Sequence, residues 1–294
     1  MAVVATGFFD GVHLGHRQVI QTLVSSARQR GEEAIVVTFA QHPRAVLQQD
    51  ARILRLLNSP QEKEALLCSL GVDRVETLPF DRAFARLTAA DYIRDVLRDR
   101  LGATCLILGY DNRLGSDCLG PDAIRPLAES LGLEVDIVPA SSASDIVVSS
   151  TKIRRALEEG RVEDAEAMLG YAYGLRGVVV SGKQLGRKLG FPTANLRLYD
   201  PMKLIPAQGV YLTEVEVLGA HYWGMTNVGD IIETNIFDFN EDIYGLDLSI
   251  RFRRHLRDMR SFDSLDALSA QLAADRDACR ALLASGSGSG SPLA

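Results

Sequence analysis

A change of hydrophobic period near Gly170 constrains the fold more than any other feature of this chain. Upstream of it, short apolar runs at residues 3–5, 34–39, 74–78, 105–108 and 135–138 alternate with amphipathic segments. One such segment, from about His16 to Arg28, places Val19, Ile20, Leu23, Val24 and Ala27 on one face at helical spacing. Another carries its own start signal, with Ser59 as cap, Pro60 in the first turn and Glu62 completing a capping box, and it ends near Gly71. Strand, helix and strand in repetition predict an α/β unit with a parallel sheet covered on both faces, and ligands at the carboxyl ends of its strands. Downstream, Leu246, Leu248, Ile250 and Phe252 alternate with Asp247, Ser249 and Arg251, and Tyr211, Thr213, Val215 and Val217 follow the same period of two. These are half-buried antiparallel strands, and several of them with few helices predict a small barrel or sandwich.

Two domains follow. The boundaries expected are residues 1–158 for the first, a helical linker at 159–170, 171–285 for the second and a flexible tail at 286–294. Residues 151–169 read as two short helices broken at Gly160, and a last helix starts near Asp263 with Leu265, Leu268 and Leu272 on one face. The serine–glycine tail has a linker's composition and takes no part in the functional reading.

With 294 residues, 47% of them hydrophobic, the chain can bury substantial cores. Its net charge of -6 argues against a nucleic-acid partner, because binding to a phosphate backbone needs a basic surface. The four cysteines lack C-x-x-C spacing, which argues against a zinc site or disulfide framework and for a reducing cytoplasm. No apolar run reaches about 18 residues, so no membrane span is expected.

Chemistry concentrates in a few stretches. In G-F-F-D-G-V-H-L-G-H, from Gly7 to His16, glycines let the backbone turn and approach a ligand where the first strand passes into a helix. A helix start favours an anion, and His13 and His16 add N–H donors suited to phosphate oxygens. The same residues would also serve as a plain loop with incidental histidines. V-V-T-F-A-Q-H-P-R puts His42 and Arg44 at the same sheet edge, and V-S-S-T-K-I-R puts Ser150, Thr151 and Arg154 where a helix begins. By itself that serine–threonine run reads more readily as a routine helix cap. In the second half, G-R-K-L-G-F-P-T-A-N is a glycine-rich basic turn holding Gly186, Lys188 and Gly190, followed by Thr193 and Asn195 on one face of a strand. Those two oxygens suit Mg²⁺ and nucleotide phosphates, and the competing reading is a hairpin stiffened by Pro192.

Taken in order, G-F-F-D-G-V-H-L-G-H, T-F-x-x-H-P-R, G-Y-D-x-R-x-G, S-S-T-K-I-R and P-T-A-N resemble the bacterial bifunctional riboflavin kinase/FAD synthetase family along nearly the whole chain. The resemblance implies a Rossmann-like nucleotidyltransferase domain followed by an antiparallel β-barrel riboflavin kinase domain with a C-terminal helix. It implies the substrates riboflavin, FMN and ATP, with Mg²⁺ as cofactor: phosphorylation of riboflavin to FMN by the second domain, then adenylylation of FMN to FAD by the first with release of pyrophosphate. By the same resemblance His13 and His16 serve the triphosphate and the transition state, and Gly7, Phe8, Phe9, Asp10 and Gly11 pack their backbone against ATP. Ser150, Thr151 and Arg154 hold the leaving phosphates, and His42 and Asp111 serve the flavin. In the kinase, Gly186, Lys188 and Gly190 hold ATP, Thr193 and Asn195 hold the metal, and Glu233 is the general base; on residue type alone Glu233 is an ordinary strand glutamate.

Two departures from the family pattern carry expectations. Asn112 and Leu114 stand where the family has phenylalanines, which predicts weaker packing around a flavin ring and raises the alternative of a riboflavin kinase with an impaired adenylyltransferase. An R-P-T loop that the family carries before the glutamate is missing, since Gly229 is followed directly by Asp230, Ile231, Ile232 and Glu233. A real deletion predicts a tight hairpin there and raises a third reading, a flavin- or nucleotide-binding regulatory protein without turnover.

Overall fold

The computed structural model describes residues 1–42, 55–139, 148–182, 186 and 189–286. Arg44, Lys188 and tail residues 287–294 lie outside the described residues. The chain divides into two compact units, Met1–Ser150 and Thr151–Ala294.

The first unit contains β1 (Ala2–Thr6), α1 (Leu14–Arg30), β2 (Glu33–Phe39), α2 (Pro60–Ser69) and β3 (Arg74–Leu78). These are followed by the π-wound α3 (Tyr92–Arg100), β4 (Ala103–Gly109), α4 (Pro121–Ser130) and β5 (Glu134–Val138). All strand pairings are parallel, in the order β3-β2-β1-β4-β5. Alternation along β1 sends Val3 and Ala5 to a layer with Ile20 and Leu23 of α1 and Leu67 of α2, and Ala2 and Val4 to a layer with Ile93 and Leu97 of α3 and Ile124 of α4. The sheet is therefore covered on both faces, as the continuous apolar runs of its strands require. Strand order reverses between β1 and β4, so the crevice for a ligand opens where the loops after these strands diverge.

Two local features differ from the sequence reading. Helix α1 begins at Leu14 because the His13 side chain caps it, accepting the His16 N–H at 3.3 Å; imidazole is not among the usual cap residues. Helix α3, which no periodic pattern announced, packs Tyr92, Ile93 and Leu97 against the sheet. The Ser59–Glu62 capping box forms in both directions.

The second unit opens with most of α5 (Ser150–Glu158), then α6 (Val162–Leu169), turning at Gly160 in the left-handed region. The strands β6 (Gly174–Val180), β7 (Ala194–Leu198), β8 (Gly209–Val217), β9 (Ala220–Val228), β10 (Ile232–Ile236) and β11 (Asp247–Arg257) close into an antiparallel barrel in the order β10-β7-β6-β11-β8-β9. Inside it the hydroxyls of Thr213, Thr226 and Thr234 form a buried chain at 2.8 and 2.9 Å, so each polar group is satisfied without water. The final helix, α7 (Leu265–Ala284), lays Leu272, Cys279, Leu282 and Leu283 over Val210, Leu212, Met225 and Phe237, with Trp223 at the edge.

Between β9 and β10 the chain turns through Gly229, Asp230 and Ile231, with the Gly229 N–H donating to Ile231 O at 3.2 Å and Val228 directly opposite Ile232. The loop missing from the sequence is thus replaced by a tight hairpin that keeps the ladder in register.

Backbone approach is closest at Gly177, where a Cβ would stand 2.1 Å from Arg197 O on β7. Gly177→Ala is expected to cost about 1–3 kcal/mol through forced strand separation. Trp223, the chain's one tryptophan, reports on the barrel alone, so its urea transition will move to lower denaturant. An unchanged midpoint would show that the β6–β7 pair gives way freely.

Candidate functional sites

The first site is built on the loop from Gly7 to His13. Its backbone is strained, with Phe9 and Val12 at φ +54° and +37° and Gly11 at +84°. Polar anchors hold it there. The Gly7 N–H donates to Val37 O on β2 at 3.0 Å. Phe8 O accepts from Thr38 Oγ1 and Lys63 Nζ, both at 3.1 Å. Asp10 is buried, its Oδ1 accepting the N–H groups of Leu57 and Asn58 at 2.9 and 3.3 Å, while its carbonyl accepts from Ser150 Oγ at 2.9 Å. Phe9 and Asp10 therefore turn their side chains into the protein, and what they can offer a ligand is backbone.

His13 and His16 stack with ring centroids 3.6 Å apart, and Phe9 meets His16 edge-on at 5.3 Å. Gly15 makes room for the His13 ring, since a Cβ there would lie 3.3 Å from its Cε1. Because His13 Nδ1 accepts from the backbone, its proton belongs on Nε2, which is then a donor. Burial pushes His13 down to about 4 and His16 well below the ordinary imidazole value, the latter also through the charges of His13 and Lys63. Both rings are thus neutral at pH 7 and would meet an anion as N–H donors rather than as cations. His16 Nδ1 is buried with no hydrogen-bond partner among the described residues.

His42 stands at the same sheet edge, its ring 4.4 Å from that of Phe8. Asp111 is exposed in the loop after β4. That loop is tied to the end of β1 by Asn112, whose amide nitrogen donates to Thr6 O at 2.9 Å and whose oxygen accepts from Gly109 N at 2.8 Å. Leu114 is buried in the core beside α3 and α4. Neither residue thus presents a face for a ring to stack on: one clamps backbone and the other fills the core. Ser150 joins the loop through Asp10 O, whereas Thr151, exposed, and Arg154, half-buried, belong to the second compact unit. Sequence reasoning passed over Thr38, Asn58 and Lys63. The signal available was Lys63 itself, a charged residue one turn before Leu67 on the buried face of α2.

The second site lies where β7 meets β10. Leu189 N and Phe191 N both donate to Gly186 O, at 3.0 and 2.8 Å, wrapping the glycine turn onto itself. Thr193 stands beside Gly186, and Asn195 lies directly opposite Glu233 in the ladder. In the amide orientation that satisfies its neighbours, Asn195 Nδ2 donates to Glu233 Oε1 at 2.9 Å and its Oδ1 accepts from Gly182 N at 3.1 Å. Gly182, also passed over in the sequence, sits so close that no side chain would fit against Asn195. A pocket of about 430 Å³ opens next to this group, lined by Val179, Pro192, Thr193, Phe239, Asp242 and Tyr244, a size suited to one nucleotide. Thr193 lines it; Asn195 and Glu233 stand to one side. Among the described residues no group of three or more His, Cys, Asp or Glu side chains converges as a metal site. Thr193 Oγ1 and Asn195 Oδ1 are oxygens of the kind a hard cation prefers.

Known proteins resemble both units, in the same order. Residues 1–152 match the FAD synthetase family model and residues 169–283 the riboflavin kinase model. The bifunctional riboflavin kinase/FMN adenylyltransferase of Listeria monocytogenes is 35% identical, the match covering 96% of this chain and 92% of that one. That of Escherichia coli K12 is 36% identical, covering 93% and 90%. A solved structure from Streptococcus pneumoniae, described as a macrolide-efflux protein, superposes with a TM-score of 0.89 at 35% identity, covering 95% of this chain and 93% of that one. No helix among the described residues here is long and apolar enough to cross a membrane. Matched on both units, in order and over nearly its whole length, the chain belongs to the bifunctional riboflavin kinase/FMN adenylyltransferase family.

Proposed function

We propose that this protein makes flavin cofactors in two ATP-dependent steps, phosphorylating riboflavin to FMN in the barrel unit and adenylylating FMN to FAD in the parallel-sheet unit. The observation that carries the reading is the pairing of two sites of opposite chemistry on one chain, each on the unit whose family model names that reaction.

In the barrel, the ribityl 5′-hydroxyl of riboflavin attacks the γ-phosphorus of ATP, the bond to the β,γ-bridging oxygen breaks, and ADP leaves. The hydroxyl proton passes to the Glu233 carboxylate, which Asn195 orients through its 2.9 Å hydrogen bond. The pocket beside Thr193 takes the nucleotide. Thr193 and Asn195 would hold Mg²⁺, which when bound neutralises charge on the transferring phosphates.

In the parallel-sheet unit, a phosphate oxygen of FMN attacks the α-phosphorus of ATP and pyrophosphate leaves. The nucleophile is already ionised, so no base is needed and catalysis consists of alignment and of donors aimed at the developing charge. Backbone N–H groups of the Gly7–Gly11 loop and the Nε2–H of His13 are such donors, and His16 joins them from the first turn of α1. Ser150, bonded to Asp10 O, serves the leaving phosphates, and His42 and Asp111 the flavin. The setting is a reducing cytoplasm, where four free cysteines are stable.

Incubating the protein with riboflavin, ATP and Mg²⁺ and resolving the flavins over time tests both steps. Glu233→Ala is expected to slow FMN formation by about 10²–10⁴-fold while leaving conversion of supplied FMN to FAD intact. His16→Ala is expected to do the reverse, slowing FAD formation by about 10²–10³-fold. If the wild-type protein converts neither riboflavin nor FMN, the reading fails.

The depressed His13 value fixes a pH dependence. The unfolded chain binds a proton near 6.5 and the folded one only near 4, so stability is intact above 6.5 and falls as pH drops through that interval. The loss amounts to about 3 kcal/mol by pH 4. Calorimetry of wild type and His13→Asn, whose side-chain oxygen replaces the capping Nδ1, should show the wild-type unit losing more between pH 6.5 and 4; parallel losses would mean that His13 is not buried neutral.

A further inference from the structure

Lys63 is a buried ammonium that the mechanism above leaves idle. It is 5% exposed, on the inner face of α2, and its Nζ donates to Thr38 Oγ1 at 2.9 Å, to Phe8 O at 3.1 Å and, weakly, to Phe39 O at 3.5 Å. All three acceptors are neutral oxygens. The charge also lies 4.2 Å from the centroid of the Phe8 ring. A methionine or leucine at this place would pack beside Leu67 without desolvating a charge, so core packing alone gives no reason for a lysine.

The reason lies in what it holds. Phe8 O accepts from both Lys63 and Thr38, and Thr38 Oγ1 in turn accepts from Lys63, forming a closed triangle of hydrogen bonds beneath the Gly7–His13 loop. In a planar trans peptide the carbonyl and the following N–H point in opposite directions. Drawing Phe8 O down toward α2 therefore turns the Phe9 N–H away from Lys63, and the following residues adopt the positive-φ backbone seen at Phe9, Gly11 and Val12. Such strain persists only where its surroundings over-determine it, and Lys63, Thr38 and the Asp10 anchors are those surroundings. The same charge disfavours protonation of His16; burial lowers the ammonium itself to about 8 against the raising effect of the Asp10 carboxylate, so at pH 7 a largely protonated Lys63 stands under a loop whose histidines are neutral.

We infer that Lys63, braced by Thr38, is a positioning residue for adenylyl transfer: it fixes the strained loop and supplies beneath it the standing positive charge that the ATP phosphates neutralise. Lys63 touches no substrate; it acts through the Phe8 peptide. The inference rests on the assignment of adenylyl transfer to the parallel-sheet unit.

The test uses the intact protein, with FMN, ATP and Mg²⁺ for FAD formation and riboflavin phosphorylation in the barrel as an internal control. Lys63→Met keeps length and bulk but removes the charge. The expected result is an approximately tenfold higher KM for ATP and an approximately tenfold lower kcat, about 100-fold in kcat/KM. The KM for FMN and the riboflavin kinase rate should stay within about twofold of wild type, and the melting temperature should be equal or higher, since a desolvated charge has been removed. Thr38→Val, which keeps the charge and the Lys63–Phe8 bond but removes the other two sides of the triangle, is expected to shift the ATP parameters in the same direction by about threefold. Wild-type FAD formation secures the underlying assignment, so its absence would sink that assignment rather than this inference. With wild type active, an unchanged KM for ATP in Lys63→Met overturns the inference, and so does a loss of kcat accompanied by a lower melting temperature, the signature of a merely structural lysine.

Discussion

The first site depends on a peptide held by buried polar groups. Phe8 O and the Asp10 carboxylate face into the protein, one toward Lys63 and Thr38, the other toward the Leu57 and Asn58 amides just ahead of α2. Each partner is costly to bury unless satisfied, so neither the loop nor the segment before α2 can relax alone without leaving a polar group stranded. This mutual dependence is what keeps Phe9 and Val12 in a region of backbone space that their side chains disfavour. The barrel solves the same problem with less strain. Asn195 spans Gly182 on one side and Glu233 on the other, so a single amide fixes both the backbone after β6 and the carboxylate.

Much of this was legible in the sequence, for reasons that differ by level. The parallel sheet was readable because its inner strands β1, β2 and β4 are buried on both faces and appear as apolar runs between amphipathic helices. β11 was readable because one face is wet and the period is two. The segment through α3 was not, since its π winding spoils the spacing on which a helix is recognised. The loop residues could be picked out as a motif, but the sequence had no means of placing Lys63, some fifty residues away, beneath them; that proximity exists only once α2 packs against β2.

The departures from the family pattern show how a residue's meaning depends on its surroundings. A missing aromatic at positions 112 and 114 reads in the sequence as a weakened flavin surface. In the fold, Leu114 occupies core space and Asn112 makes two backbone hydrogen bonds that tie the loop after β4 to the end of β1, across the point where strand order reverses. Likewise the shortened turn after Gly229 costs the barrel no pairing, because Val228 and Ile232 still face one another and Glu233 keeps its position opposite Asn195.

Under the proposed function, the two sites differ because their nucleophiles differ. A phosphate that is already ionised needs no proton acceptor, and the parallel-sheet site accordingly keeps its imidazoles stacked and neutral, His13 buried and His16 partly so, with donors rather than bases directed at the ligand. A ribityl hydroxyl must lose a proton as it attacks, and the barrel site sets a half-buried carboxylate, hydrogen-bonded on one oxygen by Asn195, on the strand beside the nucleotide pocket. Burial is thus used in opposite senses on one chain. In the first unit it strips charge from the histidines, while Lys63, lowered by the same burial to about 8 and supported by Asp10, keeps most of its own at pH 7; in the second, Glu233 stands only half-buried on the strand beside the pocket.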